Sequence, residues 1–499
     1  MLYLKQLSIW LAAGSTLIDS VSAVGNVAVD FKTLPKRQVN NTELSACFAL
    51  NSLPKKSLSS SVVFLPLDAD SSHWMTSSNQ ASACIYTPAT PEDLAAGLKL
   101  IGSRRIRFAI SCSNHASNQG FSSTPGIHIS MHQFNKVTVS ADKTYMDIGG
   151  GLSWAQVYDQ LKDTGVNTVG GRVAGPGIGG FVTGGGGFSW KTNQAGLTGD
   201  NVISVDMVLG NGTLITASAT QNADLWWAVR GGGNRFGAIY NFRMKAYPQS
   251  PSIYAGIAIF VGDGSLPAVL DAIAEFGSQN TDPLAQVIPT LNYADGSVDV
   301  LVLAVYDGVP AYGHDPFAMF NQTFQNTTFD GFVSLVQSSV QGGHRGSFHS
   351  ANVVEFTRPV LDQIANQTEF WGKAGESHSA NFISYDVEPF LSYSKYTLDA
   401  PYPHSNDPLP VNLFFAWDDA SQDDYWHAAM IESANMITEA AKQDGQEVDG
   451  FYTYPNYALA SVTARDLFGE ANTRKLECIR QKYDPHNVML LTTCFDFKL

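Results

Sequence analysis

The chain has 499 residues and a mass of 53.8 kDa, with 44% hydrophobic and only 15% charged residues. That length exceeds what one core sustains and fits about two domains or three, and the composition excludes a disordered chain. A net charge of −15 with pI 5.1, and no Lys/Arg cluster, excludes nucleic acid and anionic membrane surfaces as partners.

The N-terminus reads MLYLKQLSIWLAAGSTLIDSVSA, with Lys5 the only charge before an apolar stretch from Leu7 to Ile18. Val21, Ser22 and Ala23 form a small-residue cleavage site, so residues 1–23 read as a secretory signal peptide and the protein as secreted. Gly14, Ser15, Thr16 and Asp19 interrupt the run well short of the roughly 20 apolar residues that a membrane anchor needs. Five Asn-x-Ser/Thr acceptors, at Asn40, Asn211, Asn321, Asn326 and Asn366, suit that route. Five cysteines fit an oxidising compartment if some of them pair. Cys47 and Cys84 are the candidates for one bridge, whose closure stabilises by about 3–4 kcal/mol in the chain-entropy picture. Cys112, Cys478 and Cys494 remain, so at least one thiol stays free.

A loop-rich stretch runs to about residue 80. CIYTPATPEDLAAGLKLI then predicts a strand, a turn and a helix, with Thr90 as N-cap, Pro91 at the first helical position and Asp93 completing a capping box. RRIRFAIS and GIHISM predict strands around a polar loop from Cys112 to Gly126, and KVTVS and MDIGGG two more. SWAQVYDQLKDTG predicts an amphipathic helix with Trp154, Val157, Tyr158 and Leu161 on one face. NVISVDMVLGNGTLITAS predicts a hairpin across Gly210-Asn211-Gly212, DLWWAVRGGG a helix ended by glycine, and FGAIYNFRMKAYP a strand. Composition shifts near Pro248. From there to about residue 450 strands alternate with helices (IYAGIAIFV, LPAVLDAIAEFG, SVDVLVLAVY, NLFFAWDD), before a tail that carries FYTYPNYA and a helix over about 473–482. One face of NLFFAWDD (Asn412, Phe414, Ala416 or Phe415, Trp417) is placed to roof a ligand, although such stripes are more often core.

Ten of the eighteen residues from Gly170 to Gly187 (GGRVAGPGIGGFVTGGGG) are glycine. Gly175-Pro-Gly177-Ile-Gly179-Gly180 satisfies G-x-G-x-x-G, and Asp200 follows twenty residues later, as in a dinucleotide turn. That turn must open a helix, and Gly184 to Gly187 fall where the helix should run, at a cost of about 1 kcal/mol each. A solvated linker would carry serine and charge rather than Val173, Ile178, Phe181 and Val182. The remaining reading is a buried loop whose bare backbone lies against a flavin dinucleotide.

The run, its continuation FSWKTNQAGLTGDNVISVDMVLGNG, then NADLWWAVRGGGNRFGAIYNF, and near the C-terminus YPNYA and FGEANTRKLECIRQKYDPHNVM, resemble the FAD-linked oxidases of the vanillyl-alcohol-oxidase superfamily. More narrowly they resemble the berberine-bridge-like group and its fungal secreted members. The resemblance implies an α+β fold: a two-subdomain PCMH-type FAD-binding domain plus an α+β substrate domain with an antiparallel sheet. Its boundaries would be 24–250 for the FAD-binding domain (core about 80–250) and 251–450 for the substrate domain, with 451–499 returning to the FAD domain.

In that family a loop of the form R-x-G-G-H clamps the pyrophosphate, and its histidine bonds the flavin 8α-methyl. Here the loop is Ser111-Cys112-Ser113-Asn114-His115, which makes His115 the implied flavin link while departing from the glycines. A second link through cysteine is absent, because Val173 stands near that position, so a single covalent bond is implied. Gly175, Gly177, Gly179 and Gly180 would line the pyrophosphate and flavin. Asp200-Asn201-Val202 matches the family's D-N-V turn, and Asn234, Phe236, Gly237 and Ile239 match the strand flanking the adenosine. Gly187 takes the place of a tyrosine found in many plant relatives. Tyr454-Pro455-Asn456-Tyr457 matches Y-x-N-Y, with Tyr454 as the implied base, Tyr457 as the alternative, and Asn456 on a flavin carbonyl or the substrate.

The expected function is a secreted FAD-dependent oxidase that takes a hydride from a small organic substrate, a secondary-metabolite intermediate or a carbohydrate, and passes electrons to O₂. No metal, nucleic acid or membrane is expected, and the chain is expected to be a monomer. The alternative is a low-turnover secreted flavin-fold binding protein, suggested by the altered loop at 112–114.

Overall fold

The structure is a computed structural model that describes residues 40–64, 72–262, 264–337 and 342–499. The expected signal peptide lies outside the described residues. Among those described, no helix is long and apolar enough to cross a membrane.

The fold is mixed α+β, and each sheet follows from the residues that build it. In a first, four-stranded sheet the strands run in the order Ser61–Phe64, Cys84–Thr87, Ile127–Ser130 and Phe108–Ser111. The last three are parallel, which requires a crossover, and the helix Pro91–Arg104 supplies it. Thr90 caps this helix through the Asp93 N–H at 3.1 Å. The expected capping box is only half made. The Asp93 carboxylate instead accepts from the N–H groups of Lys56 and Ser57 (2.7 and 3.1 Å) and from Ser60 Oγ (2.7 Å), so it pins the preceding loop. The Cys47–Cys84 disulfide fastens the helix Asn41–Asn51 to the same sheet.

A second, antiparallel sheet of five strands takes the order Val137–Val139, Tyr145–Gly149, Ala238–Lys245, Val202–Val208, Leu214–Ser218. The hairpin and the helix Trp154–Leu161 form as the sequence implies, and Trp154, Val157, Tyr158 and Leu161 are the residues that helix buries. Its core also takes Leu467, Phe468, Leu476, Phe495 and Phe497 from the tail. The tail helix begins at Ala464, earlier than expected, and is broken at Gly469.

The third sheet is antiparallel with seven strands in the order Gln325–Thr327, Ile253–Phe260, Ser297–Tyr306, Ala285–Ala294, Ala380–Val387, Leu409–Trp417, Arg345–Val353. Strand alternation sorts its faces. Val411, Leu413 and Phe415 pack into one core with Ile364, Met430 and Ile437 of the helices Arg358–Gly375 and Asp423–Gln443. The other face carries Thr290, Asp386, Asn412 and Ser350 near its centre, where Asp386 accepts from Thr290 Oγ1 and Asn412 Nδ2, both at 2.8 Å. On that face Phe414 and Ala416 cluster with Met75.

Burial pushes two histidines, His128 of the first sheet and His349 of the third, down to about 4, so both are neutral at pH 7. The unfolded chain takes up these protons near its ordinary value of about 6.5, so their contribution is full above 6.5 and is lost as pH falls toward 4. Each should cost about 1.4 kcal/mol per pH unit in that window. Denaturant midpoints between pH 7 and pH 4.5 should therefore fall less steeply in His128→Gln and His349→Gln variants than in the parent protein.

Candidate active site

The glycine run has two halves with different neighbours. The first lies against the loop 111–115. A side chain at Gly175 would stand 2.8 Å from His115 Cδ2, and one at Gly177 would overlap Cys112 Sγ and stand 2.8 Å from Ser113 Oγ. At Gly180, which is exposed, nothing stands within 4 Å of where a side chain would begin. Contrary to the expectation, the run does contain a helix, Ile178–Thr183. The four glycines end it rather than extend it, with Gly184 at the C-cap and Gly185, Gly186 and Gly187 at φ 118, 93 and 90°. They form the second half, and protein takes up the space around them. A side chain at Gly184 would overlap Asn456 Oδ1, and one at Gly187 would overlap the Phe181 ring. The tyrosine that many relatives carry at that position has no room here, because Phe181 fills its place.

The departures in the loop have local explanations. Asn114 sits at φ 56°, a left-handed conformation that asparagine tolerates better than other non-glycine residues. Its Oδ1 accepts from Ser111 Oγ, and its Nδ2 donates to the Ser72 carbonyl at 2.9 Å. Cys112 Sγ donates to the Leu152 carbonyl at 3.2 Å, and burial pushes the thiol up to about 12, so it remains protonated. The side chains of Cys112 and Ser113 point at Gly177 and fill the space its missing side chain leaves.

The His115 ring stacks on Trp74 at 4.3 Å and 10°. Trp74 in turn stacks on Phe348 of the seven-stranded sheet at 5.5 Å and 5°. Burial pushes His115 down to about 4, so the imidazole is neutral at pH 7. The run begins beside this neutral imidazole at Gly175 and opens at Gly180, where bare backbone allows the close approach that a flavin dinucleotide requires.

The Y-x-N-Y segment meets the other half of the run. Tyr454 is 1% exposed, and its Oη accepts from Asn456 Nδ2 at 2.9 Å. The same Nδ2 donates to the Phe181 carbonyl at 2.9 Å. Tyr457, only partly buried, stands edge-on to Tyr454 at 4.9 Å. Its Oη donates to Glu388 Oε1 at 2.9 Å and accepts from Arg172 Nη2 at 2.7 Å. Arg172 and Glu388 are both buried and form an ion pair at 2.7 Å. Burial draws the Glu388 carboxyl above its ordinary range, and Arg172 opposes that shift. Burial also raises both phenols. Arg172, Glu388 and Trp74 escaped the sequence reading. Arg172 had a usable signal, being the only charged residue in an otherwise apolar glycine run.

The other expected cofactor residues lie elsewhere in the fold. Asn201 is fully buried and braces a turn, donating to the Ala195 and Leu197 carbonyls and accepting from Tyr247 Oη. Val202 opens a strand of the five-stranded sheet. Gly237 and Ile239 stand at the start of its central strand, where the Ile239 carbonyl abuts Gly150, and the Gly150 carbonyl in turn lies 3.4 Å from a side-chain position at Gly179.

Gly187→Ala should lower unfolding stability by about 2–4 kcal/mol, since alanine there meets both a positive φ and the Phe181 ring. Gly180→Ala, helical and facing open space, should shift it by less than about 1 kcal/mol. Chemical denaturation of the two variants checks the pair.

The model of the FAD binding domain matches residues 82–218. An uncharacterized FAD-linked oxidoreductase of Arthroderma benhamiae is 36% identical over 241 residues, 48% of this chain and 47% of that one, so the match spans about half of each. The FAD-dependent monooxygenase macF of Penicillium terrestre is 25% identical over 461 residues, covering 83% and 81%. Among solved structures, a berberine bridge enzyme variant aligns with TM-score 0.71 at 16% identity, over 90% of this chain and 98% of that one. The carbohydrate oxidase of Microdochium nivale aligns with TM-score 0.73 at 16% identity, over the same shares. The α+β fold and these likenesses agree: residues 82–218 match the FAD binding domain, and the chain shares the fold of the berberine bridge enzyme.

Proposed function

We propose that the protein is a secreted oxidase whose FAD is held by a single bond to His115. It would oxidise a small organic molecule, a secondary-metabolite intermediate or a carbohydrate. The observation that carries the chemistry is the buried Arg172–Glu388 pair sharing the hydroxyl of the partly buried Tyr457. FAD, when bound, supplies the acceptor for a hydride from substrate carbon, with O₂ taking the electrons onward.

Loss of hydride from an alcohol or amine carbon requires loss of a proton from its heteroatom. Tyr457 is better placed for this than Tyr454. The Tyr454 ring packs against those of Phe188, Tyr402 and Tyr457, and among the described residues its hydroxyl hydrogen-bonds Asn456 rather than a carboxylate. The Tyr457 hydroxyl already donates to Glu388, and burial makes that carboxylate a better proton acceptor. Arg172 donates to the same phenol oxygen and stabilises negative charge there. In this reading Tyr457 takes the substrate proton and Glu388 receives the phenol proton. Tyr454 and Asn456 fix the segment against the glycine run.

The substrate class is supported by what relatives handle. One solved relative is a berberine bridge enzyme variant holding (S)-reticuline, and another is a carbohydrate oxidase holding a substrate analogue. Secretion is supported by the Cys47–Cys84 disulfide, a bond that persists in oxidising compartments. The monomeric state and the absence of a nucleic-acid or membrane partner rest on the acidic composition. A second reading, a low-turnover flavin-fold binding protein, is favoured by the way Cys112 and Ser113 occupy the space at Gly177.

Acid precipitation of the purified protein should leave its yellow colour in the pellet, and His115→Ala should move it to the supernatant. Colour retained by the variant would refute the link. Tyr457→Phe and Glu388→Gln should each lower kcat by about 100-fold or more with flavin content unchanged, read as H₂O₂ release across a panel of sugars and secondary metabolites. Tyr454→Phe should lower it far less. An unreduced flavin with every compound of the panel would favour the binding protein instead.

A further inference from the structure

All five Asn-x-Ser/Thr asparagines are exposed. The buried Asn167, Asn193, Asn201, Asn352 and Asn412 all stand outside such triplets. Three of the five are committed to the fold. Asn40 caps a helix, with Oδ1 accepting from the Thr42 N–H at 3.0 Å. Asn211 braces the hairpin turn by accepting from the Thr213 N–H at 2.9 Å. Asn366 lies inside the helix Arg358–Gly375, and its partner Thr368 is buried with Oγ1 on the Ile364 carbonyl at 2.8 Å.

Asn321 and Asn326 differ. Among the described residues neither carboxamide makes a hydrogen bond. Asn321 follows the short turn Ala318–Phe320 at φ 49°. Asn326 is the middle residue of Gln325–Thr327, the three-residue strand at one edge of the seven-stranded sheet. Among the described residues that strand pairs with Ile253, Tyr254 and Ala255 of its neighbour. Beyond it, among the described residues, Gly256–Phe260 has a strand partner on one side only, with the Phe324 side chain packed beside Gly256. This open stretch reads GIAIFV, without charge or proline, and Val261 is 54% exposed. An apolar, β-prone edge of this kind is a template for pairing with another chain, and the usual guards, a charge or a proline, are missing.

We propose that Asn321 and Asn326 carry N-linked glycans, and that these shield the open edge from pairing with a second copy of the chain. In the modification, the Asn Nδ2 attacks C1 of the reducing-end sugar of a polyprenyl-diphosphate-linked oligosaccharide. The C1–N bond forms and the C1–O bond to diphosphate breaks. The lipid diphosphate leaves, the amide loses one proton to a base, and no electrons change hands. Two bulky, hydrated groups five positions apart then stand beside this edge.

The full chain secreted from a eukaryotic host, treated with peptide-N-glycosidase in H₂¹⁸O and mapped by mass spectrometry, should show ¹⁸O-labelled aspartate at both positions. Unlabelled asparagine at either position overturns that site. The native protein, deglycosylated enzymatically without denaturation, should then show a several-fold larger share of dimers and higher species in sedimentation velocity. The Asn321→Gln/Asn326→Gln double variant should do the same, and Asn211→Gln, which removes a remote acceptor, should not. An unchanged size distribution after deglycosylation overturns the shielding role even if both sites are occupied.

Discussion

The architecture depends on how closely backbone approaches backbone at the end of the glycine run. Gly186 meets Gly199 so tightly that a side-chain position at Gly199 would lie 3.1 Å from the Gly186 Cα, and one at Gly231 would lie 3.4 Å from the Gly185 Cα. From the other side, Pro455 reaches to 2.9 Å of a side-chain position at Gly185. The glycine run, the segment at Gly231 and the tail, far apart in sequence, therefore cross at contact distance, and the crossing fixes where the tail lies relative to the glycine run. Asn456 closes the junction by donating to the Phe181 carbonyl of the helix that the run contains. The junction sets Tyr454 and Tyr457 beside the site before any chemistry is considered.

Charge holds the seven-stranded sheet to this junction at a cost that apolar residues would avoid. Arg172 sits in the glycine run and Glu388 just beyond a strand of the sheet, and both are buried. Replacing such a pair by well-packed apolar groups is often neutral or stabilising, so packing alone is a weak reason to keep it. The pair gains geometry instead: two contacts between guanidinium and carboxylate, and a phenol shared between them. The Phe188 and Phe390 rings lie 6.0 and 5.5 Å from the guanidinium carbon and keep water from it. Two further buried polar contacts tie the same regions, the Lys191–Asp307 ion pair and a hydrogen bond between His404 Nε2 and Asp200 at 3.1 Å. Among the described residues neither touches a tyrosine hydroxyl, as the Arg172–Glu388 pair does.

Local rules made much of the fold legible. The buried face of the helix Trp154–Leu161, the Thr90 cap and the hairpin around Asn211 each depend on residues within a few positions of one another. The loop at His115 and the Y-x-N-Y segment were legible through resemblance, and the structure brings each to the glycine run. What escaped was non-local. The second half of the capping box failed because the Asp93 carboxylate serves a loop more than thirty residues upstream. The helix Ile178–Thr183 was obscured because the four glycines were counted as its interior when they are its end. Glu388 sits in an unremarkable DVEPF, and only the sheet carries it to Arg172, 216 positions away. Trp74 lies in a stretch with no periodicity, and its stacking on His115 and Phe348 is a tertiary fact.

The loop that departs most from the family pattern also shows how a glycine motif changes without losing its shape. A left-handed residue is needed before His115, and Asn114 supplies it at a small conformational cost that its own side chain offsets by bonding the loop on both sides. Cys112 and Ser113 need no special φ; what they need is room. Gly177 provides that room by lacking the side chain that would collide with Cys112 Sγ. The two segments are thus complementary: bulk gained in the loop is matched by bulk absent from the run. Since the thiol stays protonated and bonded to the Leu152 carbonyl, the exchange adds no charge to a surface that must accept an anionic cofactor. A neutral, space-filling substitution of this kind leaves the imidazole at His115 in the plane set by Trp74, and the geometry of the site follows from that plane rather than from the glycines the loop has lost.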